Sequence, residues 1–499
     1  MKRGRSGPAP LVDRLIGVMS PSWALKRAAA RAQLGLVRAY EGAQRGRRTA
    51  GWNARSAGPV TEVRAGRILL RNRSRDLDRN NAWARRAASI LVSSQIGTGI
   101  MPRANSANQA LNARIDELFA RWAETCAPDS GISFYGMQAM AVRARAVSGE
   151  SLVIMERAGP GAVKLQLQVL EPDWLADDRL DNESREGIVF NDQGTRTGYR
   201  LWEANPTEEI VVQRRKTRTV NAGDMIHLFR ADRPGQIRGV PDVSAVMMRM
   251  RDLDDYHDAA LLLAKVQSVL GAFITQTNTP ATSTMGTEGT DAAGNRIEEL
   301  APGMIGYLGP GEDVKFLAPQ GGGPFEGYTR QALLWIAAGF GLPYHLLTGD
   351  LTQANYSSIR AGMLEFKRQV EQDQYLLLIP ALCQPIWRAF ISQAVIGGQL
   401  PADAADVGAT WTPPRFEMVD PIKDTTALQM QVRSGFISWP DAVAAQGYDP
   451  AKLLAEIQDW NGRLTAAGVV LDTDPRLVTG SGTVVDPKQL AAFVLNAES

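Results

Sequence analysis

The spacing of apolar residues divides the chain into a helical opening, a strand-rich middle and a return to long helices. Over residues 75–100, Trp83, Ala87, Ile90 and Leu91 recur at helical intervals behind Asp and Asn capping candidates, and Gly97 and Gly99 mark the stop. A second helix is predicted over 108–127, with Ile115, Leu118, Phe119 and Trp122 on one face, and a third over 134–148. Between 150 and 229 the signals turn to strands. ESLVIMER, VKLQLQVLE, GIVFND, TGYRLWEA, EIVVQRR and MIHLFR are separated by Gly, Asn and Asp turns. Helices first and strands after predict an α+β unit.

Pro241 opens a helix over 243–270, in which no Gly or Pro interrupts Val246, Met247, Met250, Leu253, Ala260, Leu261, Ala264 and Leu270. At ~1.5 Å per residue it is about 40 Å long. Residues 271–327 are rich in Thr, Gly and Pro, with TQTNTPATSTMGTEGTDAAGN as an exposed loop and MIGYL and DVKFL as strand candidates. A helix over 328–340 stops at Gly341 and Pro343, and the polar loop TGDLTQANY (348–356) leads into a helix from Ser357 to about Gly397, with Ser357 or Ser358 as its cap. The most apolar stretch, YLLLIPALCQPIWRAFISQAVI, is interrupted by Pro380, Gln384, Pro385, Arg388 and Gln393. A membrane span needs ~20 predominantly apolar residues, so this one predicts a buried helix with breaks. Small helices follow Asp420.

A chain of 499 residues holds roughly three to four domains at ~150 each. With 44% hydrophobic and 22% charged residues, wholesale disorder is excluded. Cys126 and Cys383 cannot supply a disulfide framework, which suits a reducing compartment. No Arg-flanked apolar segment opens the chain as a secretory signal would. The net charge of +2 hides an asymmetry: residues 1–75 carry seventeen Lys/Arg against Asp13, Glu41 and Glu62. An arm to about Gly58, with weak helical stretches at 11–18 and 24–40 and the candidates Arg45, Arg47 and Arg48, therefore sits on an acidic body. Such an arm can bind nucleic acid, dock on an acidic neighbour copy, or simply be solvated.

The search for catalytic chemistry is nearly empty. Gly-Lys occurs nowhere, so there is no phosphate loop, and G-x-S-x-G, H-E-x-x-H and C-x-x-C are missing. SGES (148–151) reads as a turn into a strand. In RDLDDYHD (251–258), one histidine among carboxylates on a single helix fits a solvated acidic face better than a metal site. His227 reads as a strand core residue and His345 as a loop packing residue. Trp83, Trp122, Trp174, Trp335 and Trp387 read as core. Neither a catalytic residue nor a metal or other cofactor is indicated.

Several segments together resemble the portal proteins of lambda-like tailed bacteriophages. They are RDLDRNNAWARRAASILVSSQIGTGI, SGESLV, LQVLEPDWL, GQIRGVPDVSAVMMRMRDLDDYHDAALLLAKV and NYSSIRAGMLEFKR, and the likeness runs from about residue 75 to 448. It implies a portal fold of the α+β class and a homo-oligomeric ring, typically of twelve copies, at one capsid vertex. Double-stranded DNA would pass through the ring. The partners implied are the terminase large subunit, the head–tail adaptor protein and the major capsid protein, in the virion and earlier in host cytoplasm, with no membrane. The implied layout is a basic arm (1–58), a wing (59–240), a stem helix (241–271), a clip (272–326) and a second stem helix (327–347). A channel loop (348–356), a long helix with the second part of the wing (357–420), and a crown with the C-terminal tail (421–499) complete it. Channel-lining candidates are Asp254, Asp255, Asp258, Lys265, Gln353, Asn355 and Tyr356. Two rivals remain at this level, a DNA-binding protein acting through the basic arm and a hydrolase with an unrecognised site.

Overall fold

Helix α1 (Pro59–Asn80) leads straight to Asn81, whose side chain accepts the Ala84 N–H and starts α2 (Ala82–Gln95). In this computed structural model the described residues are 56–127, 131–159, 161–177, 184–207, 216–269, 325–352, 355–416, 420–448, 450–469 and 471, with four short strands between 273 and 308. The chain divides at Gly58 into two units, and the arm candidates Arg45, Arg47 and Arg48 lie outside the described residues. The helix expected to open near Asp76 is thus two helices, and Asp76 lies inside the first. Hydrophobic spacing misses α1 because its inward face is Arg67, Arg71, Ser74 and Leu77.

Strand β1 (Met101–Asn105) precedes α3 (Gln109–Ala123), capped by Asn108, and α4 (Phe134–Ser148), capped by Ser133. Gly149 ends α4 with φ +90°, and a side chain there would strike the backbone of Val240 and Pro241. Strand β2 (Glu150–Glu156) is the middle of an antiparallel sheet between β3 (Gln166–Leu170) and a later strand, β8 (Met225–Phe229). A second antiparallel sheet has the order β4 (Ser184–Arg185), β5 (Ile188–Phe190), β6 (Arg196–Trp202), β7 (Thr217–Asn221). Of the six strand segments expected, EIVVQRR lies outside the described residues. The largely polar β7 offers only Val220 as an apolar signal.

After a 3₁₀ turn (Asp242–Ala245) comes α5 (Met247–Val269). Strands β9 (Phe273–Thr275), β10 (Thr287–Thr290), β11 (Arg296–Glu299) and β12 (Gly306–Leu308) follow; β10 pairs with β11 and β9 runs parallel to β12. Part of the expected loop is therefore strand, and DVKFL lies outside the described residues. Helices α6 (Phe325–Phe340), α7 (Tyr344–Thr348) and α8 (Tyr356–Asp373) lead into a π-helical segment (Gln374–Cys383) and α9 (Gln384–Ile396). The breaks expected here are not breaks. In an α-helix the Pro380 ring would crowd the carbonyl four residues back; the wider winding carries it without interruption. By length and composition the path Ser357–Ile396 could cross a membrane, but its Leu378, Leu382, Ile386, Trp387 and Phe390 are buried in protein. Strand β13 (Gly408–Thr412) returns to pair with β1, and α10 (Pro421–Arg433), α11 (Trp439–Ala445) and α12 (Pro450–Ala467) close the described chain.

Three cores result. The largest joins α3, α4, the π segment and α9 to one face of the β2 sheet around Phe119, Trp122, Phe134, Trp387 and Phe390. A second joins α1, α2, the start of α5, α6, α7 and α8. The third lies between the two sheets, with Leu152 and Ile154 of β2 facing Ile188, Tyr199 and Leu201. Because both faces of β2 are covered, its run of buried residues need not alternate in polarity. Trp122 and Trp387 are core as expected and Trp83 and Trp174 are half-buried. Trp335 is 45% exposed, lying beneath the Arg249 guanidinium rather than in a core.

Candidate functional site

The segment leading into α5 is fastened to the β2 sheet by charges that no apolar spacing marks. Glu150, at the first position of β2, is fully buried, and its carboxylate accepts hydrogen bonds from Arg238 Nε (2.9 Å) and Nη2 (2.5 Å) and from the Gly239 N–H (3.1 Å). His227 Nε2 is 2.9 Å away on the neighbouring strand. Burial alone would push the Glu150 carboxyl up; Arg238 and His227 outweigh it and hold the group well below the usual carboxylate range. Burial pushes the His227 imidazole down, against the pull of Glu150. A side chain on Gly239 would collide with the Gly149 carbonyl, so the two segments pack backbone to backbone.

A second buried joint ties α1 to the same sheets. Arg67 reaches Asp177 and Glu186 (both 2.7 Å), Arg71 reaches Asp173 (2.9 Å), and Arg75 reaches Asp173 (2.6 Å) and Glu171 (3.0 Å). Three of the seventeen basic residues credited to the N-terminal region are therefore internal structural charges. The signal available in sequence was the i, i+4, i+8 spacing of Arg67, Arg71 and Arg75, which puts all three on one helix face.

The acidic stretch of α5 is split by its surroundings. Asp254 is half-buried, and both its oxygens accept from Asn81 Nδ2 at 2.9 Å, so it joins α5 to the cap of α2. Asp255 and Asp258 are exposed, Asp255 with Arg251 3.2 Å away one turn back. Lys265 is also exposed. His257 hydrogen-bonds Thr329 Oγ1 (3.1 Å), crossing to α6, and packs with Tyr256, Phe325 and Tyr328. Among the described residues no cluster of His, Cys, Asp or Glu is placed to hold a metal ion.

The connection between α7 and α8 is a built turn. Asp350 accepts the Thr352 N–H (2.9 Å) and hydroxyl (2.6 Å), with Arg330 and Tyr344 each 3.3 Å away, and the Thr352 bonds hold its carboxyl below the ordinary range. Gln353 lies outside the described residues, as does the side chain of Tyr356. Asn355 is exposed, but it caps α8: its side chain accepts the Ser358 N–H (2.8 Å) while Ser358 Oγ accepts the Asn355 N–H (3.1 Å). The cap is therefore Asn355 and not Ser357 or Ser358, because Asn supplies the acceptor and Ser358 only reciprocates. His345, expected in a loop, lies half-buried in α7.

Among the described residues, the charged groups brought together are two buried joints and the Asp350 turn, and they hold elements to one another. A family model described as phage portal protein, lambda family, matches residues 45–374, about two thirds of the chain. The chain belongs to the lambda family of phage portal proteins. Among curated relatives, it is 25% identical over 493 residues to the "Probable portal protein" of Halomonas phage phiHAP-1, covering 92% of this chain and 93% of that one. It is 25% identical over 377 residues to "Portal protein B" of Escherichia phage lambda, covering 66% and 70%. A solved chain from the "Neck of empty GTA particle computed with C6 symmetry" aligns with TM-score 0.41 at 16% identity, covering 77% of this chain and 94% of that one. The portal-family match contains both joints, α5, α6 and the α7–α8 loop, and ends within the first residue of the π segment.

Proposed function

We propose that this portal chain is the subunit of a ring, dodecameric in the family manner, seated at one capsid vertex. DNA passes through that ring during packaging and ejection, with the terminase large subunit and later a head–tail adaptor docking on it and the major capsid protein around it. The observation that carries this reading is the family match over 45–374, which includes both long helices and the insert between them. Residues 59–240 are assigned to the wing, 241–271 and 327–347 to the stem, 272–326 to the clip, 348–356 to the channel loop, 357–420 to the long helix and remaining wing, and 421–499 to the crown and tail. The packing fits these assignments. Helices α5 and α6 share the second core through Met250, Leu253, Leu333 and Ile336, as a two-helix stem requires. Exposed carboxylates on α5 would repel phosphate, suiting a conduit through which DNA slides rather than adheres. The role is structural, with ATP hydrolysis left to the motor. Negative-stain imaging of the purified full-length chain tests the reading: rings of about twelve with a central hole are expected, and a chain that stays monomeric at every concentration overturns it.

A further inference from the structure

The two carboxylate oxygens of Asp350 face different partners. Oδ1 accepts the Thr352 N–H (2.9 Å) and hydroxyl (2.6 Å), which closes the turn that follows α7. Oδ2 takes no part in that turn: it accepts from Arg330 Nη1 of α6 and from the Tyr344 hydroxyl of α7, both at 3.3 Å. A turn of this kind needs one side-chain acceptor, which an uncharged Asn supplies as well as an Asp. The second oxygen, and the negative charge itself, are engaged by Arg330.

Arg330 has a second support. Its guanidinium lies over the Tyr344 ring, 5.0 Å from the centroid, and 31% of its side chain is exposed. Stacking on an aromatic face holds a guanidinium in place whether or not a carboxylate is beside it. Charges around the loop are few. Residues 348–356 contain Asp350 and no other charged residue. Arg86 of α2 approaches from the other side: its Nε donates to the Leu346 carbonyl (2.9 Å), and its Nη2 lies 3.9 Å from where a side chain on Gly349 would begin. Two guanidiniums therefore meet one carboxylate at the root of the loop. Arginine presents a planar pair of donors that matches phosphate, so an uncovered Arg330 beside DNA would grip the backbone.

We propose that Asp350 is an electrostatic guard, occupying the Arg330 guanidinium so that DNA phosphate does not. The assignment rests on the reading of 348–356 as a channel loop and names what keeps that loop from adhering. The pair is open to solvent, with side chains 31% and 29% exposed, so it neutralises Arg330 while adding little to folding.

The test uses the full-length chain. Asp350→Asn keeps an acceptor for Thr352 and removes the charge from Arg330, so melting temperature and ring yield by mass photometry should match the parent. Double-stranded DNA retained by these rings in filter binding should rise at least about tenfold at low salt. It should return to the parent level at high salt, because each new phosphate contact releases counterions. Asp350→Asn/Arg330→Gln should bring retention back to that of the parent, which a loop merely loosened by the first substitution would not do. Asp350→Ser, which can also accept from Thr352, serves if Asp350→Asn rings are lost; loss of rings in both variants would assign Asp350 to folding and overturn the guard. Unchanged retention would overturn it while leaving the ring standing. A gain that survives in the double variant would do the same, since the adhering cation would then not be Arg330. A parent chain that never forms rings would overturn guard and ring together.

Discussion

Arg238 and Glu150 form a two-pronged ion pair from which water is excluded, with Nε 2.9 Å from both carboxylate oxygens and side chains exposed by no more than 1%. The pair joins the segment just before the 3₁₀ turn and α5 to the first residue of the central strand β2, so it fixes that segment against the sheet. Removing one partner leaves the other charge buried. Glu150→Gln is expected to cost about 3–5 kcal/mol, read from urea unfolding. A loss below 1 kcal/mol would mean that Asp177, 4.0 Å from Arg238 Nη1, already balances the guanidinium.

Acid should loosen the same joint in two steps. Folding holds His227 below its ordinary value of 6.5, through burial and the nearby Arg238 and Arg196, with Glu150 opposing. The unfolded chain therefore takes up that proton first. The stability contributed by neutral His227 is present above pH 6.5 and is lost as pH falls below it. Glu150, depressed by Arg238 and His227, acts in the same direction at lower pH, from its ordinary value near 4.5 downward. Stability should fall between pH 7 and pH 5, and His227→Gln should flatten that slope. Parallel slopes for the two proteins would remove His227 from the account.

The boundary of the basic arm can be placed by truncation. Removing residues 1–58 takes away one of two units and should preserve cooperative melting. Removing 1–75 also strips Arg67, Arg71 and Arg75 from Asp173, Asp177 and Glu186, and should destabilise by more than about 3 kcal/mol. Equal melting temperatures for the two truncations would show that these buried pairs contribute nothing net.

How much of this was visible in sequence depends on what held each element. The helices α3 and α4 and the strands β2 and β8 are packed by apolar side chains at regular intervals, and their spans were readable to within a few residues. Helix α1 is held by arginine on its inward face, so hydrophobic spacing gave no helix before about residue 75. Glu150 and His227 were placed correctly as strand residues, yet Glu150 meets His227 and Arg238 from 77 and 88 residues away, which no local pattern encodes. Asp254, Asp255 and Asp258 looked like one patch because sequence gives spacing on α5 but not the position of Asn81.

Asn355 illustrates the same limit on a smaller scale. The resemblance offers it as a channel-lining residue, and no spacing in the sequence showed that its side chain also caps α8. Asn355→Ala should destabilise by about 1 kcal/mol, with Asn355→Asp largely neutral, measured by chemical unfolding. A larger loss for Asp than for Ala would mean that the cap depends on the amide and not on the acceptor oxygen.

The carboxylates of α5 should separate into a structural one and two electrostatic ones. Asp254 is engaged by Asn81 on both oxygens, so Asp254→Ala should lower stability by roughly 1–3 kcal/mol, the cost of an unsatisfied buried partner, without altering DNA passage. Asp255 and Asp258 are exposed, and their contribution to folding should be small: the Arg251–Asp255 pair is a surface pair, for which ~0–1 kcal/mol is usual. Replacing both with lysine adds four units of positive charge per copy, repeated around a ring. Each phosphate contact so created strengthens DNA adhesion with a steep dependence on salt, because counterions are released, and screening weakens it as ionic strength rises. Rings of the Asp255→Lys/Asp258→Lys chain should therefore retain double-stranded DNA at low salt and release it at high salt, and should package or eject more slowly. Retention unchanged at every salt concentration would place this face of α5 on the outside of the ring, where its charges meet solvent and not the genome.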